Sequence, residues 1–190
     1  KAIAKYLYDG KDVKAFAAMA WYASEVLKGG SDTFGFLMGA GGSGALIGAL
    51  YLASRESVMK LGRLIPASTA LFGTGLIILS LSRMFLLSLL LMAFIGLGLM
   101  MHTAASNTVL QTITDDDKRG RVMSFYTMAI MGTAPFGSLL AGTMAKFLGT
   151  TVAILIGGLT CVAGAFFFMK KLPELKNVVR PVYVNPGNQK

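Results

Sequence analysis

Five stretches without a single charged residue dominate this sequence: 33–54, 64–82, 84–114, 122–145 and 147–169. They run for 22, 19, 31, 24 and 23 residues. At about 1.5 Å of rise per residue, roughly 20 helical residues cross the hydrocarbon core of a bilayer, so every stretch is long enough. None alternates apolar with polar residues over about ten positions as a barrel strand does. A helix satisfies its own backbone groups in lipid. The pattern predicts an all-α integral membrane protein, a bundle of about five transmembrane helices near 33–54, 64–82, 84–108, 122–145 and 151–169. Composition agrees: 54% of residues are hydrophobic and 14% charged, against about 25% charged in a soluble domain.

The net charge of +9 is a topology signal rather than a nucleic-acid footprint. Arg55, Lys60 and Arg63 fill one gap between apolar runs, and Lys118, Arg119 and Arg121 fill another. Lys170 and Lys171 follow the last run, while the intervening gaps hold only Arg83 and Lys146. Positively charged loops stay in the cytoplasm, which assigns 55–63, 115–121 and the tail 170–190 to that side. Residues 1–22 are atypical: Ala15–Ser24 is charge-free for ten residues, about 15 Å of helix and too short to span. Lys1, Lys5, Lys11, Lys14 and Lys28 conflict with an outside start for the first helix. A shortened or re-entrant helix at 15–27 would return the first four to the cytoplasmic side, and the sequence leaves both arrangements open. No signal-peptide pattern opens the chain, and without an initiator Met it reads as a piece of a longer protein. The last twenty residues, with Pro181 and Pro186, read as an extended polar tail.

Within the spans, Gly35/Gly39 and Gly44/Gly48 form two GxxxG pairs, a spacing that lets helix backbones meet in lipid. Pro66 is expected near the start of its helix, where a missing N–H costs little. Pro135 is expected mid-helix, as a kink. Polar residues inside a span are the best pointers to a transport path. Thr103, Asn107 and Gln111, at i, i+4 and i+8, share one face, with His102 and Ser106 beside them. They read either as a polar wall of a cavity or as interhelical hydrogen bonds with His102 as a structural donor. The acids between Thr33 and Met169, namely Glu56, Asp115, Asp116 and Asp117, all fall in loops. A coupling proton would need His102 or another part of the protein. Cys161 is the single cysteine, which excludes an internal disulfide and multi-cysteine metal sites. One His, one Cys and loop acids assemble no nucleophile–base pair, so an enzyme is not expected, nor are a cofactor, a metal or a nucleic-acid partner.

Two segments carry a family resemblance. Ala23–Gly30 continuing through Ser31–Val58 resembles the end of helix seven and all of helix eight in bacterial major facilitator exporters. Ala104–Gly142, with Asn107, Gln111, Arg119-Gly120-Arg121, Pro135-Phe136-Gly137 and Gly142, resembles the helix ten to eleven segment of the transmembrane secretion effectors, the branch with enterobactin-type exporters. Lys170–Val184 fits that branch too. The resemblance implies helices eight to twelve of a twelve-helix fold, the C-terminal half. It places 33–54, 84–108 and 122–145 on a central cavity, adding Tyr126 and Pro135 to the path, with 64–82 and 151–169 peripheral. It also implies a cytoplasmic gate from Arg119, Arg121 and Arg55. The superfamily's loop signature sets an Asp four residues after a Gly, but here Leu52 follows Gly48.

The implied function is efflux of a small hydrophobic molecule, a drug or siderophore, by a secondary transporter of the bacterial plasma membrane. Its expected partners are membrane lipid, the substrate and a six-helix N-terminal half. The rival reading is a membrane interaction or assembly protein, or a transporter fragment, that packs through its glycine faces without a transport cycle.

Overall fold

The computed structural model describes residues 22–54 and 58–184. A π-helical turn, Tyr22–Val26, precedes five α-helices: α1 Ser31–Ala53, α2 Val58–Leu81, α3 Phe85–Ile113, α4 Asp116–Leu148 and α5 Thr150–Val184. All five are long and apolar enough to cross a membrane, and no strand occurs among the described residues. The chain is a multi-pass membrane protein.

α2, α4 and α5 extend well into charged sequence, because lipid limits where charge can sit, not where a helix ends. α2 begins at Val58, so Pro66 lies well inside it rather than near its start, and its ring denies the Gly62 carbonyl an intrahelical donor. Pro135 does fall mid-helix in α4. The segment after Lys170, expected to be extended, is helical as far as Val184. Of the 15–27 segment, residues 15–21 lie outside the described residues.

The helices pack in the spatial order α1, α3, α2, α5, with α4 resting on α5 and touching α3 only slightly. Helix contacts are made by small residues. A Cβ added to Gly44 would land on the Ala93 carbonyl, and one on Gly96 would land on the Gly41 carbonyl. At Gly48 it would stand 3.0 Å from the Leu97 carbonyl oxygen. The α2–α5 seam is made likewise: Gly73 and Gly158 each present backbone on which the other's Cβ would sit at 2.8 Å. Meanwhile Leu46, Leu50, Leu81, Leu86 and Phe125 are more than half exposed, whereas Ser68, Ser80, Ser82 and Ser88 are buried. Small and polar residues inside with large apolar ones outside is the arrangement lipid selects, because it offers no hydrophobic drive for leucines to hide.

The other glycine pair behaves differently. Gly35 and Gly39 have nothing within 4 Å of an added Cβ, so among the described residues the close contacts of the two pairs are those of Gly44 and Gly48. α1 crosses α3 so that its backbone contacts begin at Gly41. The first half borders an open apolar groove of about 430 Å³ between Gly35, Phe36 and Gly39 on one side and Leu86, Leu90 and Ala93 on the other.

Candidate functional site

α3 carries the polar residues, and its surroundings divide them into two sets. His102 Nδ1 lies 2.8 Å from Thr69 Oγ1 on α2. Thr69 Oγ1 also lies 2.8 Å from the Ile65 carbonyl oxygen, and the tautomer of His102 sets which of the pair donates. The His102–Thr69 hydrogen bond joins α2 to α3. Five residues at about 100° each put it roughly 140° around the helix from Asn107, facing α2 rather than the ladder.

The ladder itself is open. Gln111 Nε2 donates to Asn107 Oδ1 at 2.8 Å. Thr103, one turn before Asn107, is exposed and returns its hydroxyl to the Leu99 carbonyl. Asn107 and Ser106 are half-buried, and Gln111 is exposed. A hydroxyl satisfied by its own helix still presents an acceptor outward, and the Asn–Gln pair retains free donor and acceptor capacity. The face can therefore bind groups of either sense. Tyr126 is half-buried on α4, and Pro135 is exposed.

The turn after α3 is tied by side chains. The last four carbonyls of a helix have no intrahelical donors, and two of those here are taken by nearby groups. Thr114 Oγ1 donates to the Leu110 carbonyl at 2.6 Å, and Arg119 Nε donates to the Gln111 carbonyl at 3.2 Å. Arg119 Nη2 also pairs with Asp116 Oδ1 at 2.6 Å, and Lys118 Nζ with Asp115 Oδ2 at 3.1 Å. Arg121 is exposed and makes no hydrogen bond or ion pair among the described residues. Arg55 lies outside the described residues, so the three arginines are not seen together.

At the opposite end of the bundle is a centre that the sequence did not announce. Tyr22 is fully buried. Its one phenol proton is shared between the carbonyls of Leu79 at 2.8 Å and Ser82 at 2.9 Å, and the oxygen lies 3.2 Å from Ser88 Oγ. Burial pushes the phenol pKa up, against the Ser88 and Ser82 bonds that pull it down. The π-helical turn is thereby pinned to the α2–α3 turn. Thr69 was missed as well, being one hydroxyl in an apolar run, and so was Gly73 opposite Gly158. Among the described residues no three His, Cys, Asp or Glu side chains gather as metal ligands do.

Comparison with known proteins gives this geometry a family. Residues 12–185 match the transmembrane secretion effector family. The chain belongs to that family of major facilitator superfamily proteins. It is also 25% identical over 175 residues to YfmI of Bacillus subtilis (strain 168), described as an uncharacterized MFS-type transporter. That alignment covers 87% of this chain and 43% of YfmI, so the chain spans less than half of that relative's length. No solved structure matches.

Proposed function

We propose that this secretion-effector chain is one half of a secondary exporter that moves a small hydrophobic molecule, a drug or siderophore, out across a bacterial plasma membrane. The observation that carries the reading is the open ladder Thr103–Asn107–Gln111 on an uncharged, membrane-length helix. Exposing amide groups within a span is costly unless they line a polar space. A hydrophobic substrate with a few polar groups finds there an apolar wall with localised hydrogen-bonding points, the usual make-up of a small-molecule site. The other half is a six-helix bundle in this reading. Supporting it are the 43% coverage of YfmI and α4, which has no buried residue in this bundle. Transport then proceeds by rocking of the two bundles about a midplane site.

The test is efflux from cells or proteoliposomes carrying the full-length transporter. Asn107→Leu and Gln111→Leu should each lower efflux about tenfold or more, the scale of one lost charge-free hydrogen-bonding point, near 1.4 kcal/mol. Leu99→Ala, an apolar change on the same helix, should leave efflux near wild type. Undiminished efflux in both amide variants would remove the ladder from the path.

A further inference from the structure

α4 has no buried side chain and meets α3 scarcely at all beyond the turn that joins them. One side chain of α4 nevertheless reaches back across that turn. Arg119 donates through Nε to the Gln111 carbonyl and holds Asp116 through Nη2. Gln111 in turn donates to Asn107. An unbroken series of contacts therefore leads from the first turn of α4 to the polar ladder.

We infer that Arg119 is a positioning residue that couples the pose of α4 to the ladder on α3, and that Arg121 is the arginine left available to the opposite half. The inference rests on reading the ladder as part of a transport path. Its physics is local. Without a donor on its terminal carbonyls the last turn of α3 frays, and a frayed turn no longer holds Gln111 one turn from Asn107. A cation at that helix end is also favoured by the helix dipole. The guanidinium fork satisfies a carbonyl and a carboxylate in two directions at once, which a lysine ammonium on a flexible stem does not reproduce. When α4 tilts against α3 during a transport cycle, the Arg119–Gln111 bond is the contact that must break or form. Two orientations of α4 then correspond to two states of the ladder.

The experiment uses the full chain in lipid nanodiscs with Cys161→Ser, and spin labels at Thr108 on α3 and Phe125 on α4. The width of the distance distribution is read together with amide exchange over residues 108–114. Arg119→Lys should broaden the distribution and speed exchange several-fold while leaving the melting temperature in place, since the glycine seams of α1, α2, α3 and α5 are untouched. Asp116→Asn, which keeps the guanidinium but removes its anchor, should shift both in the same direction by less. Arg121→Lys should change neither. Wild-type width and exchange in Arg119→Lys would overturn the proposal, and so would equal changes in Arg121→Lys. A fall in melting temperature matching the other changes would reduce Arg119 to a structural brace and overturn it too. Failure of the transport reading is distinguishable: Asn107→Leu with full efflux sinks that reading whatever the spin labels report.

Discussion

Tyr22 holds two backbone carbonyls that lie 57 and 60 residues further along the chain. Tyr22→Phe keeps the ring and removes the donor, leaving the Leu79 and Ser82 carbonyls to be satisfied otherwise. The Leu79 carbonyl keeps a bond from the Ser82 N–H, so a loss of about 1 kcal/mol follows from the removed hydrogen bond, to be measured as unfolding of the bundle in detergent. Because the phenol must keep its proton to donate, and burial raises its pKa above 10.0, this contribution is intact below pH 10.0 and disappears above the raised value. Tyr22→Phe should show no such alkaline step. His102 offers a contrast of scale. Interhelical side-chain hydrogen bonds in membranes average about 0.6 kcal/mol, so Thr69→Val should cost about that much. Neither partner was legible beforehand: periodicity in a sequence marks a face, and a phenol bound for distant carbonyls leaves no periodic trace. The i, i+4 spacing of Asn107 and Gln111 was legible, because both ends of that bond lie on one helix.

Helices 31–53 and 85–113 test what a GxxxG pattern means. Gly35/Gly39 and Gly44/Gly48 read identically, yet only the second pair meets a backbone. Spacing states that a close approach is permitted, while the crossing point of α1 over α3 determines where it happens. Gly44→Ala should therefore destabilise the bundle by about 1–3 kcal/mol through overpacking, and Gly39→Ala should be neutral or slightly stabilising. Matched melting curves for the two variants would refute the seam. Helix existence was plain from the charge-free runs, but boundaries were not. Val58–Arg63 and Asp116–Arg121 are helical although charged, since a helix projecting beyond the hydrocarbon is free to carry charge.

At the scale of the molecule, alternation of basic loops assigns one end to the cytoplasm. On a Cys161→Ser background, a cysteine at Lys118 should react with an impermeant thiol reagent only from the cytoplasmic side, and cysteines at Arg83 or Lys146 only from outside. Labelling of positions 118 and 146 from one common side would break the five-span topology. The stability of this bundle resides in four helices, and α4 contributes no interior to it. That division bears on how such a protein changes over generations. Along most of the chain a new side chain must fit a backbone already in contact, and selection for a foldable bundle removes it. On α4, Phe125, Met128, Met131, Phe136 and Leu140 are all more than half exposed within the bundle, so a change there leaves the seams of the other four helices untouched. A helix that leaves its own bundle's seams untouched can change its outward face while those seams hold, and in this chain a library randomised along α4 should return more folded members than one randomised along α3.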